Sequence, residues 1–153
     1  MEWLMLLFKR RILFPWLLSA VVMFVISYVW HGITLTDISD LRMELWLYLL
    51  LSGLAYLVIG LLLTLAVHFL LAREWIIMKN AFPMKSMLTG AGAGVIVYLV
   101  ILASGLSFAS QGIQHAVVDL LWQMVEQGMG GLMVGLGIVY DLHRNFMEAE
   151  RAQ

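Results

Sequence analysis

Leu45–Leu71 reads LWLYLLLSGLAYLVIGLLLTLAVHFLL, without one Asp, Glu, Lys or Arg. A helix needs about 20 apolar residues to cross the hydrocarbon core of a membrane, whereas a barrel strand alternates with period two. This stretch exceeds the first length and does not alternate, so it predicts a spanning helix. Working outward, Ile12–Trp30 follows Lys9-Arg10-Arg11, Met87–Phe108 follows Lys85, and Ala116–Tyr140 lies between Gln114 and Asp141. Of these, only Ala116–Tyr140 contains charged residues, Asp119 and Glu126. Pro15 is placed in the first turn of the first span, where a missing N–H costs little, and Pro83 in the loop before the third. The fold class expected is all-α: one transmembrane domain over residues 1–153, an integral membrane antiparallel four-helix bundle with spans at 12–30, 45–71, 87–108 and 116–140.

Composition agrees. The chain has 153 residues, 63% hydrophobic and 12% charged, where a soluble domain is about half apolar and about a quarter charged. So few charges cannot cover a globule in water, and a net charge of −1 argues against a nucleic-acid partner. With no cysteine there is no disulfide, thiolate metal site or Cys nucleophile. The N-terminal apolar run is span-length and Ser27-Tyr28-Val29-Trp30 offers no small-x-small cleavage site, so it reads as a retained helix. Residues 1–11, with Trp3, Leu4, Leu7 and Phe8, are expected to lie at the interface.

Cations set the orientation. Lys9, Arg10, Arg11, Arg73, Lys79, Lys85, Arg144 and Arg151 fall on one side of a four-span topology and only Arg42 on the other. The basic side is cytoplasmic by the positive-inside rule, which gives N-in/C-in. Trp16, Trp30, Trp46 and Trp75 fall near span ends, as an aromatic belt does. The cytoplasmic loop 72–86, with Trp75, Ile76, Ile77 and Met78, is amphipathic and basic and should meet anionic lipid. The expected location is a bacterial inner (cytoplasmic) membrane, multi-pass.

The fourth span carries the polar signal. At about 100° per residue, His115, Asp119, Trp122, Gln123, Glu126, Gly130, Met133 and Gly137 share one stripe, while Gly128, Gly131 and Gly135 lie opposite. Small residues four apart permit close helix approach, so Gly128, Gly131, Gly135 and, in the third span, Gly90 and Gly94 are assigned to helix packing. Glu126 sits about 15 Å into the span by the helical rise. An ionised carboxylate at that depth must be paired, hydrated or protonated. No span holds a Lys or Arg, which leaves Ser19, Ser27, Tyr28, Ser52, Tyr56, Thr64 and Tyr98 as neutral partners. Asp119 is shallower, where a helix N-terminus favours a carboxylate. The polar intramembrane site is therefore Asp119, Trp122, Gln123 and Glu126, with His115 at its mouth.

The histidines lie at span ends, His31 and His115 outside, His68 and His143 inside. A two-haem arrangement fails on length, because His115 and His143 are about 42 Å apart on one helix and the hydrocarbon core is about 30 Å thick. A single haem or pigment at His31 or His68 is the remaining cofactor option, and the expected complement is none. His31 is a candidate outer ligand with Asp37, Asp40, His115 and Asp119, but the spacing is not diagnostic and no metal is assigned. Thr89–Gly94 lacks the spacing and the GK[ST] ending of a phosphate loop. Ser107 and Ser110 near His115 and Asp119 lack any nucleophile elbow. The methionines are scattered and read as core. These readings point to a non-enzymatic small polytopic membrane protein, in contact with the lipid bilayer, that self-associates as a homo-oligomer or serves as a subunit of a larger membrane complex. The alternatives are a small proton or cation channel or transporter using Asp119, Gln123 and Glu126, and a haem- or pigment-binding subunit.

Overall fold

The computed structural model describes residues 10–34, 44–78, 81–104 and 112–151. The proposed interfacial residues 1–9, and Asp37, Asp40, Arg42, Lys79, Ser107 and Ser110, lie outside them. Among the described residues four α-helices make the fold: α1 Arg10–Tyr28, α2 Leu45–Ala72, α3 Phe82–Ala103 and α4 Ile113–Arg151. A wider π-type turn, Val29–Thr34, extends α1. The fold is all-α, a helical bundle, and three helices are long and apolar enough to cross a membrane: α1 with its extension, α2 and α3. α4 is not one of them. Its 39 residues, about 58 Å at the helical rise, are long enough, but Asp119, Gln123, Glu126, Gln127 and Asp141 make it more polar than its neighbours.

The helices run up and down. Gly60 of α2 meets Ala20 of α1, and Tyr56 meets Ser27, so α1 and α2 are antiparallel. Gly130 meets Met23 and Gly137 meets Pro15, so α4 is antiparallel to α1. Gly94 lies against Gln123, Gly90 against Gln127 and Gly128, Gly131 against Ser86, and Gly135 against Pro83, so α4 is antiparallel to α3 as well. α4 is thus the central helix. It packs most closely on α3, then on α1, while α2 leans on α1 and barely touches α3. This topology puts every cation among the described residues, Arg10, Arg11, Arg73, Lys85, Arg144 and Arg151, at one end, hereafter the basic end.

The apolar core lies toward that end. Met23, Leu63, Val67, Ile76, Phe82, Val134 and Ile138 form one buried cluster drawn from all four helices and the turn after α2. Lipid-facing positions make the complementary pattern, with Leu51, Leu54, Val58, Leu62, Leu65 and Phe69 exposed along α2.

Several boundaries differ from the sequence reading. α3 begins at Phe82, so the second part of the expected 72–86 loop is helical, with Pro83 in the first turn where the ring is tolerated. α4 does not stop at Tyr140, because Asp141 is buried and accepts a hydrogen bond from Asn145 Nδ2 at 3.3 Å, which carries the helix onward. α1 starts early enough that Pro15 is interior to it rather than in its first turn. Its ring packs on Gly137. Trp16 and Trp30 are contacts between helices rather than a belt: Trp16 Nε1 donates to the Leu57 carbonyl at 2.7 Å, and Trp30 stacks on Trp122. Trp46 and Trp75 are exposed.

Two glycines of α3 separate packing from mere helix content. A methyl at Gly90 would sit 2.9 Å from the Gln127 carbonyl carbon and 3.1 Å from Gly128 Cα, backbone atoms that cannot swing aside, whereas Gly92 has nothing within 4 Å. Gly90→Ala should cost about 1–3 kcal/mol, and Gly92→Ala should be neutral or stabilise by up to about 1 kcal/mol. Thermal unfolding of the two variants in detergent measures the difference. Equal midpoints would refute close α3–α4 contact.

Candidate functional site: a buried carboxyl between three helices

Above the apolar core, toward the end where α4 begins, the interior turns polar. Glu126 and Gln127 are fully buried on α4. Tyr56 of α2, Ser27 of α1 and Trp122, one turn earlier on α4, are polar neighbours of the Glu126 carboxyl, but Trp122 Nε1 and Glu126 Oε2 have no hydrogen-bond partner among the described residues. Tyr56 donates its hydroxyl hydrogen bond to Ser27 Oγ at 2.7 Å. Gln127 Nε2 points at Glu126 Oε1 from 3.5 Å. The Trp122 ring is stacked on Trp30 with centroids 4.0 Å apart and planes at 13°. Trp30 reaches it because the π-type turn widens the end of α1, a distortion that commonly accompanies functional sites.

Local helix chemistry decides which hydroxyls are available. Thr64 is satisfied by the Gly60 carbonyl four residues back, at 2.8 Å, and so does not serve Glu126. Ser27 and Tyr56 face outward from their own helices and meet the carboxyl. Tyr28 and Ser52 line a crevice of about 160 Å³ beside them, with Phe24, Tyr48, Ser27 and Tyr56, and it is too tight for a water molecule. Ser19 and Tyr98 are buried with hydroxyls that have no hydrogen-bond partner among the described residues.

The sequence-derived residues divide into two groups. Trp122, Gln123 and Glu126 lie in the buried layer. Asp119 is half-buried and His115 exposed. Asp119 stands about 10 Å and His115 about 16 Å up the helix from Glu126, so they mark the approach rather than the site. His31 is half-buried on the π-type turn. His68 lies at the other end of the bundle and donates from Nδ1 to the Thr64 carbonyl at 2.9 Å. Among the described residues no three His, Asp or Glu side chains gather to hold a metal ion. The assigned glycines all sit at the α3–α4 contact, and Gly130 and Gly137 of the polar stripe pack on α1. Sequence reasoning missed Gln127. Its position about 100° round from Glu126, on the edge of the glycine face, was the available signal.

No known protein family, curated protein or solved structure matches the chain.

Three substitutions interrogate the layer. Glu126→Gln keeps shape and a donor, and should leave stability nearly unchanged. Tyr56→Phe removes the bond to Ser27 and should cost about 1 kcal/mol. Glu126→Lys places an ammonium in the interior at a cost of at least about 2.5 kcal/mol, and should sharply lower membrane expression. Expression yield and unfolding midpoint report all three. Glu126→Gln as damaging as Glu126→Lys would mean that the residue acts as an anion, and harmless outcomes for both would place it in water.

Proposed function

We propose that this chain is a non-enzymatic membrane protein that binds and releases a proton at Glu126 from one side of the membrane. All four helices cross the bilayer in this reading, α4 gripped between α1 and α3, with both termini at the basic, cytoplasmic end of a bacterial inner membrane. The carrying observation is the fully buried Glu126 carboxyl, beside the hydrogen-bonded Tyr56 and Ser27 hydroxyls of two other helices and at the opposite end of the bundle from every described cation. An acid in such surroundings leaves the layer neutral when it holds its proton.

Geometry favours a proton over a hydrated cation. The neighbouring crevice admits no water, yet the Tyr56–Ser27 hydrogen bond offers a hydroxyl path. Access is one-sided. Below Glu126 the interior is sealed by Met23, Val67, Val134 and Ile138, each no more than 1% exposed. Passage across the membrane therefore requires this seal to open. Association with further copies or with a larger complex has lost its first motive, since the glycines that suggested it are filled by helices of the same chain.

N,N′-dicyclohexylcarbodiimide adds to protonated carboxyls in apolar surroundings and provides the test. In oriented proteoliposomes it should modify Glu126, as mapped by mass spectrometry. The extent should follow the pH on the side of Ile113 and ignore the pH at the basic end. Absence of modification, or an equal response to both sides, would overturn the proposal. The topology has its own check. The sequence has no cysteine, so a single cysteine at Glu44 and another at Glu150 should be labelled by an impermeant maleimide from opposite faces of the membrane.

A further inference from the structure

A second feature lies at the basic end, remote from Glu126. Where α1 begins and α2 gives way to the turn before α3, a cleft of about 710 Å³ opens between them, within the roughly 300–1,000 Å³ of ordinary ligand pockets. Its polar lining is Arg11 from α1, His68 from the last turns of α2, and Glu74 from the turn. Its apolar lining includes Leu71, Ile76 and Ile77. Glu74 is placed there by a left-handed backbone, φ 59°, which turns the chain back under α2. Among the described residues, Arg11 and Glu74 form no ion pair with each other.

The chemistry of the three groups is specific. Arg11 is a fork of donors suited to a phosphate. Glu74 offers only acceptors. The His68 ring has already committed its Nδ1–H to the Thr64 carbonyl, so the neutral ring presents Nε2 as an acceptor, and that atom has no partner among the described residues. One cationic donor facing two acceptors complements a headgroup that carries both a phosphate and a primary ammonium. The apolar walls would be wasted on a free phosphate, but they suit the acyl chains of a lipid. Ile77, 57% exposed, lines the cleft, and Trp75, 77% exposed, lies between the lining residues Glu74 and Ile76 in sequence, the kind of residue enriched where headgroups meet water. We infer that this cleft seats a zwitterionic phospholipid of the phosphoethanolamine class, phosphate on Arg11 and ammonium between Glu74 and His68, in the leaflet at the basic end. A diffuse basic surface would instead select anionic lipid.

Native mass spectrometry of the full chain in mild detergent, with phosphatidylethanolamine, phosphatidylglycerol and phosphatidylcholine added in equal amounts, tests the assignment. Phosphatidylethanolamine should be retained about fivefold over each of the others, the preference one well-placed charge confers. Glu74→Gln should abolish its preference over phosphatidylglycerol. Arg11→Gln should weaken retention of both, and Lys85→Gln, at the same end but outside the cleft, should change nothing. Arg11 and Glu74 are exposed, so neither substitution touches the core. Preferential retention of phosphatidylglycerol by the wild-type chain, or a ratio unmoved by Glu74→Gln, would overturn the inference. So would an equal loss from Lys85→Gln and Arg11→Gln.

Discussion

Everything in this bundle depends on α4 being able to touch two helices backbone to backbone. Lipid tails are as apolar as leucine, so helices in a membrane gain little by burying apolar surface against each other, and close packing selects the partners. Gly128, Gly131 and Gly135 open one side of α4 to α3, where Gly90 and Gly94 answer them, and Gly130 and Gly137 open another side to α1. A helix gripped on both sides keeps two of its faces buried, although Leu121, Val125, Leu136 and Val139 stay exposed on the remaining one. The glycine contacts place Glu126 and Gln127 in the interior of the bundle, and so the glycines and the polar residues of α4 are one device.

The same packing divides the bundle into two layers. Near the basic end all four helices contribute to one apolar cluster, and Phe82 and Ile76 close it from below. α2 barely touches α3, and toward the opposite end α1 runs into its π-type turn. There the contacts are polar or aromatic: Tyr56 with Ser27, Trp30 with Trp122, Phe24 edge-on to Tyr56. A sealed layer beneath a polar one makes the two ends of the bundle inequivalent for Glu126. The asymmetry of charge along the chain, with its cations at the sealed end, reinforces it.

Much of this was legible as sequence, for identifiable reasons. Uninterrupted apolar length reveals a span directly, and Leu45–Leu71 became α2 with one residue added. Helical spacing also placed Gly131 and Gly135 together, and the absence of any Lys or Arg from the spans left Ser27 and Tyr56 among seven neutral candidates to partner Glu126. Periodicity on one helix, however, cannot say which neighbour fills each face. The polar stripe looked like a single surface, yet Gly130 and Gly137 within it are the seat of α1. Boundaries were lost where a residue has two uses: Asp141 reads as the end of a span but is buried and hydrogen-bonded to Asn145. Gln127 was lost because a glutamine beside glycines on a helical wheel looks like an edge position, and only the third dimension buries it.

The remaining question is whether the polar layer pins helices or handles a proton, and its hydrogen bonds bear on it. A polar knot that serves only stability has every buried atom matched, since each orphan forfeits solvation without recompense. Here Trp122 Nε1, Gln123 Oε1, Glu126 Oε2 and Gln127 Oε1 are all buried and all lack a hydrogen-bond partner among the described residues. They cluster within two turns of one helix, around the one carboxyl of the layer. Thr64, Ser86 and Thr89 behave otherwise, each settled on the carbonyl four residues back. The chain can therefore satisfy buried polar groups at little cost, although the Ser19 and Tyr98 hydroxyls and His68 Nε2 are also without a partner among the described residues. The four around Glu126 lie where a proton, added to or taken from the carboxyl, would change which of them are satisfied.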